Sequence, residues 1–408
     1  MRNHTVVSFE NTKHAFAYKT NKELKKARFL FRSMGIPELV QLGIKITPWA
    51  INAGLPVKGI IRNTIFKQFV GGETLEETAR IADRLEQFGV QVILDYGVEG
   101  KEGEENFDHA CAEFIRVINY AGTQPNMPFM SIKVTGFARF GLLEKLDAAA
   151  AENSGYKGMV HTEVLTEAEK KEWQRVVNRM EKIIAAAVSK NVSVLVDAEE
   201  TWIQDPVDAL VMQMMEQFNK ERPVLYNTMQ LYRHDRLQFL KDSFATAQEK
   251  GFILGAKLVR GAYMEKERKR AVEMNYPSPI QPDKEACDRD FNAATEFCIE
   301  HLDKIALVVA SHNEYSNLLA AELLDKKGGT HHHSHVHFSQ LYGMSDNITF
   351  NLANAGYSVS KYLPFGPIKE VIPYLMRRAQ ENSSMSGQTG RELKLIKKEM
   401  QRRKAENV

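Results

Sequence analysis

Three cysteines in 408 residues, Cys111, Cys287 and Cys298, lack the spacing of a metal or redox motif and cannot all pair. A disulfide-framed fold is therefore excluded, and a reducing compartment is expected. No window approaches about 18 uninterrupted apolar residues, so no spanning helix is expected. The opening stretch MRNHTVVSFENTKHAF has no apolar core followed by a small-residue cleavage site, and the expected location is the cytoplasm. Charge of one sign is also missing. The chain carries 54 Lys and Arg against 52 Asp and Glu, a net +2, which gives no global attraction to nucleic acid. GxGxxG, Walker, HExxH and GxSxG elements are absent, so Rossmann or P-loop nucleotide binding has no local support and a large cofactor needs another anchorage.

What is present is a globular composition, 43% hydrophobic and 26% charged, in a chain long enough for a barrel of about 250 residues plus extra elements. From Asn21 to about Glu86 the apolar spacing is helical, through KKARFLFRSM and ETLEETARIADRLEQFG, which closes on Gly89. Short apolar runs of strand length follow: QVILDYG (91–97), PFMSIKVTG (128–136), VSVLVDAEE (192–200), RPVLYNTMQ (222–230), FILGAKLVRGAY (252–263), IALVVASHN (305–313), HVHFSQLYG (335–343) and YSVSKYLPFG (357–366). Amphipathic stretches such as 169–190 and 234–251 lie between them as crossover helices. Eight strands alternating with helices predict an α/β fold, a distorted (β/α)8 TIM-like barrel, with a doubly wound open sheet as the second choice. The predicted organisation is a helical segment over 1–88, the catalytic barrel over 89–390 and a basic tail over 391–408. The barrel is favoured because each run ends in a chemically capable residue: Asp95, Lys133, Asp197, Gln230, Tyr263, His312 with Asn313, Gln340 and Tyr362. The long connection 137–191 holds an extra helix and the small-residue stretch DAAAAENSGYKG, expected to arch over one side of the barrel. The tail RELKLIKKEMQRRK reads as a capping helix with a solvated basic face, and as an alternative surface for anionic lipid.

Three constellations could carry chemistry. In YLMRRAQENSS (374–384), Arg377 and Arg378 point about 100° apart on a helix, with Glu381 four residues after the first and three after the second. That pattern fits either a solvated face laced by ion pairs or a pair dividing a substrate acid and an anionic cofactor between them. In KLVRGAY (257–263), Lys257 and Arg260 supply cations and Gly261 lets backbone N–H groups approach a phosphate or flavin edge. In HHHSHVHF (331–338), His333, His335 and His337 would share one face of a strand, the basis of an alternative reading as a metal-dependent barrel hydrolase using His331–His337. His312 with Asn313 offers two further donors at a strand end.

VDAEE (196–200), NTMQLY (227–232), KLVRGAYMEKER (257–268), SHN (311–313), KYLPFG (361–366) and RRAQEN (377–382) together resemble, in order, the motifs of the FAD-dependent proline dehydrogenase family, in the monofunctional form similar to the mitochondrial enzyme. The resemblance implies oxidation of L-proline to Δ1-pyrroline-5-carboxylate, the first step of proline catabolism, with FAD as cofactor, a quinone as electron acceptor, possible peripheral contact with the inner face of the membrane and no metal. It implies that Arg377, Arg378 and Lys133 hold the substrate carboxylate, supported by Glu99 and Glu381, with Tyr362 packed on the proline ring and Leu258 and Tyr263 lining its apolar side. It places Asp197, Ala198, Gln230, Lys257, Arg260, Gly261, Ala262, Glu267, His312 and Asn313 around the FAD, with Arg378 and Glu381 reaching both ligands and Asp197 serving the substrate as well. Lys257 stands where some members carry arginine, and Met264 where some carry tryptophan. Relatives specialised for hydroxyproline carry a small residue where Tyr362 stands, so proline is the expected substrate.

Overall fold

The computed structural model describes residues 7–52, 57–97, 102–152, 160–328, 331–384 and 386–406. Eight strands, β1 Gln91–Tyr96, β2 Phe129–Ile132, β3 Ser193–Val196, β4 Leu225–Gln230, β5 Leu254–Val259, β6 Ile305–Ala310, β7 Val336–Leu341 and β8 Val359–Phe365, close into a barrel in sequence order. The predicted (β/α)8 barrel is the fold; the open sheet is not. Each strand falls inside its predicted run. Except at β4, which ends on Gln230 as its run does, the runs overshoot at their carboxyl ends because the residues there belong to the loops that follow. Among the described residues no helix is long and apolar enough to cross a membrane.

The chain divides into two compact units, Met1–Val98 with Ser339–Val408, and Glu99–Phe338. In the first, β1 and β8 pair in parallel with Ile93 opposite Tyr362 and Asp95 opposite Pro364. The helix Asn21–Met34 starts at a capping box, where the Thr20 hydroxyl accepts from Glu23 N–H and the Glu23 carboxylate takes the Thr20 N–H. Its inward residues Leu24, Ala27 and Phe31 join Phe66, Phe69, Val371, Leu375, Leu395 and Ile396 in one core. The sequence did not reveal that the segment Arg62–Phe66 is a turn of π-helix, a local widening with no strong residue signature.

The tail belongs to this core. The helix Ser386–Ala405 buries Leu395 and Ile396, and its Glu399, fully buried, pairs with Arg402 at 2.8 Å and Arg403 at 2.7 Å. Arg403 also donates to the carbonyls of Lys19 and Phe16. Arg403, one of the cations of the face read as solvated with anionic lipid as the alternative, thus fixes the tail to the amino-terminal segment.

A buried ionic network fastens the outer side of β8. Asp346 lies 2.9 Å from Lys19 and 3.0 Å from Lys361 and accepts from the Tyr18 hydroxyl at 2.8 Å. Burial opposes its ionisation, but the two lysines outweigh it and hold the carboxyl at about 2. Glu392, which accepts the Ser345 N–H at 2.5 Å, is pushed up to about 7 by burial and by Asp346. Because this lies above the ordinary carboxyl value of 4.5, the stability it confers is complete below that value and is lost as pH rises through about 7. Glu392→Gln should therefore raise the melting temperature relative to wild type more at pH 8 than at pH 5. Equal shifts at the two values in a thermal scan would show that folding does not raise the Glu392 carboxyl above its ordinary value.

In the second unit, β2 to β6 pair in parallel, with Ile132 opposite Val196, Val196 opposite Asn227, Gln230 opposite Val259 and Leu258 opposite Val309. The helix Glu167–Lys190 opens on a capping box of Thr166 and Glu169 and ends on Asn191 in the left-handed conformation. The small-residue stretch expected as an arch begins instead as helix: Phe140–Glu152 packs on Thr201–Phe218, where the Asp205 N–H donates to Asp147 at 3.0 Å. The rest of that stretch lies outside the described residues.

Candidate active site

The register of β2 and β3 sets the first pair of charges. Lys133 and Asp197 each follow the last residue of their strand, and Ile132 lies opposite Val196, so the next residues meet with Lys133 Nζ 3.4 Å from Asp197 Oδ2. Lys257 on β5 reaches the other oxygen, Asp197 Oδ1, in a close ion pair. Lys257 is buried, with 7% of its side chain exposed, while Lys133 keeps 34% exposed and has room to meet a ligand. One carboxylate thus holds two ammonium groups, one from just past the end of β2 and one from inside β5, beside the carboxyl end of β3 and toward the face where barrel enzymes place their chemistry.

Around this cluster the polar groups are ordered. Gln230, the last residue of β4, is buried; its amide donates to the Glu199 carbonyl at 2.8 Å, while its Oε1 has no partner. Glu199 is buried too, and its carboxylate accepts the Thr135 hydroxyl at 2.8 Å. Burial, reinforced by Glu200, pushes Glu199 up to about 7 against the pull of Lys133 and Thr135. Neither Thr135 nor Glu199 was singled out in the sequence. The signal was the VDAEE run itself, whose second acid lies two residues beyond Asp197 and keeps its facing.

Beyond β5, Arg260 pairs with Asp288 at 2.6 Å, donates to Ser311 at 2.6 Å and Ser316 at 3.0 Å, and lies over the Phe291 ring. Gly261 has φ +136°, and a Cβ there would sit 2.3 Å from the Tyr232 ring. Only glycine therefore fits, and Gly261 and Ala262 present an exposed backbone. Leu258 is fully buried. Tyr263 stands at the amino end of the helix Met264–Met274, and Asn313 caps Glu314–Lys326 by accepting the Ser316 N–H. His312 and Ala198 are half-buried at their loops.

Glu267, expected beside FAD, is fully buried, and its two oxygens take the Thr201 N–H at 2.8 Å and hydroxyl at 2.7 Å. It braces the start of the helix Thr201–Phe218, a helix-capping role that its helical position did not reveal.

In the first unit, Arg378 is buried; its Nη2 pairs with Glu381 at 2.6 Å, its guanidinium lies over the Tyr374 ring and its Nε has no partner. Arg377 is half-buried on the neighbouring flank of the helix Ile368–Ser384. Burial pushes the Glu381 carboxyl up, against Arg378 and Arg377. This pair is no solvated lacing: a buried guanidinium with an idle Nε is a donor held ready. Tyr362 is the fourth residue of β8, 9% exposed, inside the strand rather than at its end. Glu99 lies outside the described residues.

The histidine reading fails on geometry. Only His337 lies in β7; it is buried edge-on to Phe129 and held down at about 3 by burial. His335 bonds the Leu302 carbonyl at 2.6 Å, His333 accepts the His335 N–H and His331 faces Asp325. Among the described residues no three His, Cys, Asp or Glu side chains converge as a metal site.

A closed (β/α)8 barrel that gathers a lysine–carboxylate–lysine cluster of net positive charge where β2 and β3 end is a framework suited to an enzyme with an anionic ligand. The family profile described as proline dehydrogenase matches residues 78–391, and the chain belongs to this family of oxidoreductases. It is 33% identical to proline dehydrogenase 1, mitochondrial, of Dictyostelium discoideum, over 85% of this chain and 66% of that protein. It is 32% identical to hydroxyproline dehydrogenase of Xenopus laevis, over 95% of this chain and 88% of that one. Proline utilization A from Bdellovibrio bacteriovorus shares the fold with a TM-score of 0.68 at 18% identity, over 92% of this chain and 36% of that chain.

Proposed function

We propose that this chain oxidises L-proline to Δ1-pyrroline-5-carboxylate with FAD as its cofactor and passes the electrons to a quinone, as a cytoplasmic protein working at the inner face of the membrane. The domain organisation proposed with it is the helical segment 1–88, the catalytic barrel 89–390 and the basic helix 391–408. The observation that carries the reading is the Lys133–Asp197–Lys257 cluster, whose three positions coincide with those the family resemblance implies.

The donor set suits a flavin. A buried, unpartnered Gln230 Oε1 would accept from a ring N–H, Lys257 would place a cation by the ring, and the exposed backbone at Gly261 leaves room for a phosphate near Arg260. When bound, FAD supplies the two-electron acceptor for the hydride that leaves the ring carbon beside nitrogen. The protein's part is orientation. Arg377, Arg378 and Lys133 take the substrate carboxylate, Glu381 holds the Arg378 fork, and Tyr362 and Leu258 press on the ring and exclude water. Asp197 fixes both lysine heads and offsets one of their two positive charges, which leaves the cluster a net positive charge for the anion to meet. The purified protein should show a flavin spectrum that bleaches when L-proline is added without oxygen. A protein that neither retains nor takes up flavin would end this reading.

Two substitutions test the assignment. Gly261→Ala forces a Cβ against Tyr232 in a backbone region that costs other residues about 1–3 kcal/mol. Flavin content after gel filtration should fall well below that of wild type; full content would show that the loop tolerates the side chain without disturbing the cofactor. Tyr362→Ser opens space beside the ring. The ratio of kcat/KM for proline over 4-hydroxyproline should fall about tenfold, the scale of one lost packing contact, and an unchanged ratio would remove Tyr362 from substrate selection.

A further inference from the structure

The charge cluster has a second tier. Two residues beyond Lys133 and Asp197, Thr135 and Glu199 face each other at the same offset, with the Thr135 hydroxyl 2.8 Å from both Glu199 oxygens and the Thr135 N–H 3.4 Å from Oε1. Glu199 is 7% exposed whereas Thr135 is half-buried, so Thr135 is the more accessible member of the pair. The Glu199 backbone is held from both sides, its N–H donating to Gln204 and its carbonyl accepting from Gln230, each at 2.8 Å. The ionised groups that act on it are Lys133 from the turn after β2 and Glu200 on its own segment, the latter paired to Lys266 of the helix Met264–Met274, while Asp197 and Lys257 form the neighbouring ion pair.

We propose that Glu199, through the Thr135 hydroxyl, takes up the proton that the substrate's secondary amine loses before it is oxidised. This deepens the reading of the chain as a proline-oxidising enzyme and rests on it. Free proline is a zwitterion whose ammonium nitrogen has no lone pair to support departure of hydride from the adjacent carbon. In the step proposed, the ammonium N–H bond breaks and its electron pair stays on nitrogen. Thr135 Oγ1 receives the proton as it gives its own to a Glu199 oxygen. An ammonium and a carboxylate become an amine and a carboxylic acid, with no change of net charge and no external reactant.

Asp197 is the poorer acceptor because each of its oxygens already meets a lysine ammonium group. Glu199 is restrained by a neutral hydroxyl and by the field of Lys133. Its proton affinity near neutrality then responds to binding. A substrate carboxylate arriving on Lys133 offsets the cation that favours ionised Glu199, so the act of binding drives proton uptake. The same charge that positions the acid end of the substrate readies the receiver for the proton of its amine.

The test separates proton binding from turnover. Cyclopentanecarboxylate, a ring acid without the amine, is mixed with flavin-loaded enzyme in weakly buffered indicator between pH 7 and 8. Wild type should take up protons as it binds, and Glu199→Gln should take up none while keeping its flavin spectrum. In steady state, kcat/KM for proline should show an inflection near neutrality that is absent in Glu199→Gln, with a loss of about 10²–10⁴-fold. Thr135→Val removes a donor to the ionised form, so its inflection should move to higher pH. If Glu199→Gln is reduced by proline with the wild-type pH profile and the wild-type proton uptake, the inference is overturned. If that variant does not fold, an unshifted inflection in Thr135→Val overturns it equally. Failure of wild type itself to be reduced by proline is a different result and sinks the functional reading instead.

Discussion

Asp197→Ala should cost about 3 kcal/mol of stability and lower kcat/KM for proline by at least 10²-fold. The first figure follows from removing one partner of a buried ion pair, which leaves a charge without compensation. Here the carboxylate serves two lysines, and the burden falls on Lys257, with 7% of its side chain exposed, more than on Lys133, whose 34% exposure lets water take over part of the loss. Against a total stability of about 5–15 kcal/mol this is a large fraction, visible as a lower urea midpoint with unchanged slope. The kinetic loss has a separate origin. Without Asp197 the two ammonium groups repel each other, and Lys133, the more exposed, is expected to swing away from the position in which it would meet a carboxylate. Asp197→Asn keeps the shape and removes the charge, so it should resemble the alanine variant. If asparagine behaves like wild type, hydrogen bonding and not charge holds the cluster, and the electrostatic account is wrong.

How much of this was legible in the sequence differs by residue. The eight strands were, because buried parallel strands write continuous apolar runs bounded by polar loop residues, and VSVLV or IALVVA admits little else. Lys133 and Asp197 could be named because each directly follows such a run. Their meeting could not, since it depends on a register between segments 64 positions apart. The same holds for Thr135 with Glu199, and for Lys361, which reads as one more polar residue beside Tyr362 until the structure places it on the outer face against Asp346. Period-two alternation tells that neighbours on a strand face opposite ways, but not which way is inward when both are polar or aromatic. Glu267 shows the opposite limit: a motif names it beside the cofactor, and nothing in the sequence tells that both its oxygens are engaged by the start of another helix. The basic tail misled by composition, because Glu399, a single buried acid, engages two of the arginines that a charge count assigns to solvent.

Arg377→Met and Arg378→Met, adjacent in sequence, should fail in different ways. Arg377 is half-buried, so losing it should leave the melting temperature close to wild type and flavin in place, while KM for proline rises about 10–10²-fold. That range corresponds to one charge-assisted hydrogen bond of about 1.5–3 kcal/mol to the substrate carboxylate. Arg378 is buried over Tyr374 and pairs with Glu381, whose carboxyl burial already pushes upward. Its removal strands that acid. Because 34% of the Glu381 side chain is exposed, protonation and water can absorb part of the penalty. Stability should still drop, and both KM and flavin retention should suffer. Glu381→Gln on the wild-type background checks the link: with its counter-charge gone, Arg378 loses its orientation, and KM should rise in the same direction by a smaller factor. The informative failure is loss of flavin from Arg377→Met with retention in Arg378→Met. That outcome would reverse the two roles, giving the half-buried arginine to the cofactor and the buried one to the substrate.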